Sequence, residues 1–132
     1  MDSQNEARQR WATPSFWRSL THAMAGLHAA ARTERNLRIH SAATAAVVLC
    51  AWWVGISPLQ WVALVLTVAL VVCAELFNSA IERLVDLVHP EYHALAGEVK
   101  DVAAAAVVVC AVAAVLVGCI ILGPALLEKL TR

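Results

Sequence analysis

The sequence predicts an all-α integral membrane protein, with three membrane-spanning helices and an amphipathic helix ahead of them. Three observations carry this expectation. Of the 132 residues, 61% are hydrophobic, above the roughly 45–50% typical of soluble domains. No Asp, Glu, Lys or Arg occurs from Ile39 to Ala74, nor from Val102 to Leu127. Such stretches suit lipid, whereas a helical bundle in water needs polar faces along its whole length.

Residues 1–14 read as a polar, mobile tail, and 15–132 as one domain. A cleavable signal peptide is not expected, because the first apolar run begins too late. From Ser15 to about Thr33, Trp17, Leu20, Met24, Leu27 and Ala31 recur at steps of three and four, with Arg18, His22 and Arg32 off that stripe. This pattern describes an amphipathic helix that lies in the membrane surface, packs on other protein, or does both.

The first span is expected over about 39–56, near the lower length limit for crossing. Gly55, Ser57 and Pro58 mark an uncharged turn. The second helix should run from about 59 to 88 and break at His89-Pro90. A short polar loop follows over 91–98. The third span is expected over about 102–122, ended by Gly123-Pro124 and followed by a polar tail. The four cysteines, Cys50, Cys73, Cys110 and Cys119, all lie in apolar runs and read as free thiols.

Basic residues set the expected orientation. Arg8, Arg10, Arg18, Arg32, Arg35, Arg38, Arg83 and Lys100 fall on one side, against Lys129 and Arg132 on the other. The excess places the N-terminus and second loop in the cytoplasm and the C-terminus outside. Trp52, Trp53 and Trp61 then fall near the outer interface as an aromatic belt. The net charge of zero gives no basis for nucleic-acid binding.

The chemistry concentrates after the second apolar run. At about 100° per residue, Glu75, Glu82 and Asp86 fall within roughly 40° of one another, flanked by Asn78 and Ser79. From Leu59 to Glu75 is about 24 Å of helix, so Glu75 sits near the cytoplasmic edge of a core about 30 Å thick. A carboxylate at such a position is expensive unless paired or hydrated, and marks function. A helix merely emerging into water accounts for Asp86 and partly for Glu82. It does not account for Glu75, because Leu76 and Phe77 follow it. Glu34, just before the first span, and Lys100-Asp101, just before the third, arrive at the same level. Carboxylates beside a lysine suit Mg²⁺ and a nucleoside triphosphate: the metal takes oxygen ligands and the lysine neutralises phosphate charge. The common glycine-rich nucleotide motifs are absent.

The segment from Glu75 to Val107 resembles the signature region of the prokaryotic diacylglycerol kinases and undecaprenol kinases. Glu75, Asn78, Glu82, Asp86, Lys100 and Asp101 occupy the family's positions, and the resemblance extends to Gly26 and Glu34, over roughly Phe16 to Leu122. The family implies a homotrimeric helical bundle of three-span subunits, with sites shared between chains at the cytoplasmic interface. It implies transfer of the γ-phosphate of ATP, with Mg²⁺, to the hydroxyl of a membrane lipid, either undecaprenol or diacylglycerol. On this resemblance Glu75 is the general base, and Glu34 and Glu82 are Mg²⁺ ligands. Asn78, Lys100 and Asp101 contact nucleotide and phosphate, and His22 and Gly26 form part of the nucleotide wall. His22 stands where some members carry an aromatic. The stretch from Glu34 to His40 is similar to the undecaprenol-kinase branch, and Glu91 to Gly97 to the Gram-negative diacylglycerol kinases; the balance leans to undecaprenol. His40 itself reads as an interfacial residue, the alternative being a headgroup contact. Two other readings compete: a small proton-coupled transporter, whose carboxylates would lie nearer the midplane, and a non-catalytic membrane subunit, which leaves the Glu75, Asn78 and Glu82 stripe without a purpose.

Overall fold

The computed structural model of the chain describes residues 16–131, so the tail expected over 1–14 lies outside the described residues. Among the described residues, all regular structure is helical: α1 (Phe16–Thr33), α2 (Arg35–Val54), α3 (Pro58–Val88) and α4 (Ala94–Thr131). The last three are long and apolar enough to cross a membrane. Even α2, the shortest of them at 20 residues, reaches about 30 Å, the thickness of the hydrocarbon core. The chain is thus a multi-pass membrane protein. Its four cysteines are free.

A single residue separates α1 from α2. Glu34 adopts an extended backbone (φ −87°, ψ 114°), while its N–H still donates to the Ala30 carbonyl at 2.8 Å. The Thr33 hydroxyl bonds back to the Ala29 carbonyl at 3.0 Å, a local bond that competes with helix continuation. The break therefore falls at a carboxylate, that of Glu34. Along α1, Trp17, Leu20, Met24 and Leu27 are all exposed, and Ala30 is its one buried residue.

The α2–α3 turn is chemically determined. Gly55 takes a left-handed backbone (φ 77°), which favours glycine, and its N–H caps Ala51 at 3.1 Å. This stops α2 at Val54, two residues before the end expected for the first span. Ser57 then caps α3 with a reciprocal bond to Gln60, and Pro58 occupies the first turn. Ile56 folds into a small core with Ala51, Leu64, Ile121 and Leu122, which pins the end of α2, the start of α3 and the later part of α4 together.

Helix α4 departs from expectation at both ends. It begins at Ala94, so the polar loop expected over 91–98 contracts to residues 89–93. His89, held out of the helical region before Pro90, supplies the break (φ −130°, ψ 82°). Ala94, Leu95 and Ala96 are strong helix formers and resume the helix at once. Lys100 and Asp101 consequently sit inside the helix rather than before it. At the other end, Gly123-Pro124 does not stop the helix, which runs through to Thr131. Ile121 and Leu122 are buried before the proline, and Ala125 and Leu126 pack on the same core after it. That packing on both sides holds the path straight on, and apolar surroundings favour keeping every remaining backbone bond inside the helix.

The largest interface joins α3 to α4, and α2 lies more loosely against both. Between the three is a cleft of about 590 Å³, bounded by Val47, Leu64, Val68, Val71, Val115 and Leu122 among others. Its polar side chains are Thr44, Thr67 and, at the end nearer the start of α2, His40. The Thr67 hydroxyl is already engaged by the Ala63 carbonyl at 2.7 Å. Of the small residues at Ala106, Cys110, Ala114 and Gly118, the last two line this cleft, and a Cβ at Gly118 would meet nothing within 4 Å.

Candidate functional site

Three polar side chains are buried among the described residues: Glu75 (2% exposed), Asn78 (7%) and Ser79 (7%). All three lie on α3, at the steps of three and four that share one helix face. Half-buried Glu82 continues the stripe. The α3–α4 hairpin and α2 close over this face, so periodicity and packing together bury the carboxylate of Glu75.

Its one basic neighbour within ion-pair range, among the described residues, is His40 of α2. The imidazole Nε2 lies 3.1 Å from Glu75 Oε1. The contact is not aligned as a hydrogen bond, and Oε1 has no aligned donor. One turn on, Asn78 Nδ2 donates to Glu82 Oε1 at 2.8 Å. That bond fixes the amide so that its carbonyl oxygen faces inward, buried and without a hydrogen-bond partner. Two buried acceptors in one line are unusual, because buried polar groups are nearly always satisfied. They suit a ligand that brings its own donors.

Glu34 is brought to α3 by Arg83, whose guanidinium donates to Glu34 Oε1 and to Thr33 Oγ1, each at 2.8 Å. Arg83 is more than half exposed, so the pair adds little stability. Its effect is geometric: it ties the α1–α2 break to the helix turn that carries Glu82. Lys100 of α4 pairs with Asp86 of α3, one turn beyond Glu82. Asp101 is exposed. His22 and Gly26 are exposed on α1, and a Cβ at Gly26 would meet nothing within 4 Å.

Within one subunit the expected residues thus form a procession along α3. His40, Glu75, Asn78 and Glu82 adjoin; Glu34 joins through Arg83; Lys100 joins at Asp86. Asp101, His22 and Gly26 are not drawn into it. Among the described residues no group of three His, Cys, Asp or Glu side chains converges as a metal site. Glu34 and Glu82 nevertheless offer carboxylate oxygens, the donor type that Mg²⁺ prefers. One or two carboxylates completed by phosphate oxygens are its usual protein share.

Two participants escape a reading of the sequence. Arg83 counts there only toward orientation, although it is the one basic residue of α3 and directly follows Glu82. His40 counts as interfacial, although it is the only His, Asp, Glu, Lys or Arg between Ile39 and Ala74. Both signals are in the sequence, but neither names its partner.

Comparison with known proteins gives the family. The sequence model of the family described as prokaryotic diacylglycerol kinase matches residues 21–122. An undecaprenol kinase of Bacillus subtilis is 41% identical over 111 residues, covering 84% of this chain and 90% of that protein. A diacylglycerol kinase of Synechocystis is 43% identical over 115 residues, covering 86% of this chain and 66% of the relative. The diacylglycerol kinase of Escherichia coli K12 is 39% identical over 97 residues, covering 74% and 80% respectively. With a family match over most of its length and relatives at this identity on either side of the lipid-substrate divide, the chain belongs to the prokaryotic diacylglycerol kinase family.

Proposed function

We propose that this membrane lipid kinase transfers the γ-phosphate of ATP to the hydroxyl of undecaprenol, at the polar line along α3. Diacylglycerol is the alternative acceptor. The observation that carries the proposal is Glu75: a carboxylate 2% exposed, near the cytoplasmic edge of the membrane, with an oxygen that has no aligned donor. A transporter would hold such a group near the midplane. A non-catalytic subunit has no use for a buried acceptor whose desolvation is costly.

In this reading Glu75 accepts the proton of the lipid hydroxyl as its oxygen attacks the γ-phosphorus, and ADP leaves. Asn78, held by Glu82, presents its inward carbonyl to a donor on the bound substrates. Glu34 and Glu82 would hold Mg²⁺, which would supply positive charge to neutralise the phosphate oxygens. Lys100 and Asp101 contact the nucleotide and its phosphates, and His22 and Gly26 of α1 form part of the nucleotide wall. The exposed apolar stripe of α1 rests in the cytoplasmic membrane surface. The N-terminus and the α3–α4 loop are cytoplasmic and the C-terminus is outside. The working unit is a homotrimer: within one subunit Lys100 reaches Asp86 rather than Glu75, and α1 offers no wall to the line, so a neighbouring chain completes the site.

The cleft beside His40 favours undecaprenol. It is almost wholly apolar, and one of its two threonine hydroxyls is already engaged. A polyprenol has only its terminal hydroxyl to satisfy, whereas diacylglycerol brings two ester groups to a cleft whose one unengaged threonine hydroxyl is that of Thr44. Purified protein offered both acceptors in parallel should therefore show a higher kcat/KM for undecaprenol; a preference for diacylglycerol would reverse this assignment. The metal assignment has its own test. Glu34→Gln and Glu82→Gln should each raise the Mg²⁺ concentration needed for half-maximal activity while the detergent-solubilised oligomer stays intact. Unchanged Mg²⁺ titrations in both variants would show that these carboxylates only solvate helix ends.

A further inference from the structure

His40 is the basic side chain that touches Glu75, and nothing in the reaction described above uses it. Its imidazole lies between two environments. Nε2 is 3.1 Å from the buried carboxylate, while the ring forms the end of the apolar cleft between α2, α3 and α4. The side chain is 26% exposed, against 3% for that of Glu75. A proton captured by Glu75 is thus enclosed on every side but one. Asn78, the next polar group along α3, is an amide with no proton-accepting nitrogen, and its NH₂ is committed to Glu82. The base must be returned to its carboxylate form before another lipid can react, and among the described residues the basic group in contact with it is the imidazole.

We propose that His40 acts through Glu75, as the exit for the proton that the base captures, an inference that rests on Glu75 being the base. Neutral His40, with its hydrogen on Nδ1, offers Nε2 as an acceptor. In the transfer step the lipid O–H bond breaks, its proton passes to Glu75, the new O–P bond forms, and the bond from the γ-phosphorus to ADP breaks. The proton then moves from Glu75 to His40 Nε2, the imidazolium gives up its Nδ1 proton to water, and exchange between the two neutral ring tautomers restores the Nδ1–H form. One proton leaves per phosphate transferred, and both side chains return to their starting forms.

The test is turnover of His40→Ala and His40→Gln, with Glu75→Gln assayed alongside. Both His40 variants should lose about 10²-fold in kcat, the lower end of the range for loss of a positioned proton-transfer group. The KM for ATP should stay unchanged. Glutamine can hold the carboxylate by a hydrogen bond but cannot carry a proton, so it should not restore the rate. Added imidazole should restore His40→Ala in a concentration-dependent manner, because the truncated side chain opens the cleft end beside Glu75. It should not restore Glu75→Gln. Rescue by a small molecule requires a folded protein, and His40→Gln serves as the variant should His40→Ala fail to assemble. Wild-type turnover in either His40 variant overturns the inference, and so does a folded His40→Ala that imidazole leaves impaired. Failure of the underlying reading looks different: there, Glu75→Gln itself remains active.

Discussion

Glu75→Gln should lower turnover by roughly 10²–10⁴-fold, the range for loss of a positioned general base, with ATP affinity nearly unchanged. Glutamine is close to isosteric and neutral, so the buried position accepts it with little strain; if anything, removing a desolvated charge stabilises the helix packing. The variant should therefore insert, assemble and bind nucleotide like the wild type. Its defect lies in the chemical step, because an amide cannot take the proton of the attacking hydroxyl. The comparison of kcat with the KM for ATP separates this from a general loss of structure. A folded Glu75→Gln protein with near-normal turnover would remove the residue from the mechanism.

The second large effect is a gain. Glu75→Gln and Lys100→Ala subunits should each be inactive alone, yet mixed trimers should regain activity. In one subunit Lys100 is held at Asp86, 11 positions beyond Glu75 on α3, or about 16 Å along the helix. If each site takes Glu75 from one chain and Lys100 from its neighbour, every mixed trimer contains one intact site. Random assembly from equal amounts makes about three-quarters of trimers mixed, each with one working site of three. Recovered activity should therefore approach about a quarter of wild type. Co-assembled trimers that stay inactive would place both residues in the same chain, and a fully active monomer would overturn the trimer itself.

Much of the α3 line is legible in the sequence because it depends on local geometry. Helical periodicity alone puts Glu75, Asn78 and Glu82 on one face, and the Asn78–Glu82 bond is an ordinary contact between residues four apart. The turn at Gly55, Ser57 and Pro58 is legible for the same reason, since each residue type there has a specific backbone role. Contacts between distant parts of the chain are not. Arg83 meets Glu34 across 49 positions, and His40 meets Glu75 across 35; both pairings follow from how α2 lies on α3, which no spacing rule encodes. The helix-stopping signal at Gly123-Pro124 misleads because burial on both sides of Pro124 outweighs one missing backbone bond. The polar stretch after Pro90 misleads because Ala94, Leu95 and Ala96 resume the helix among polar neighbours.

The most direct test of the whole account is phosphate transfer itself. Purified protein in lipid bicelles, supplied with Mg²⁺ and ATP labelled at the γ-phosphate, should move label into the lipid extract when undecaprenol or diacylglycerol is present. The label should be recovered as the lipid monophosphate, with ADP formed in equal amount, and Glu75→Gln should suppress it. Label that appears only as inorganic phosphate, or lipid labelling that Glu75→Gln leaves intact, would contradict a phosphoryl transfer carried out at the buried carboxylate of α3.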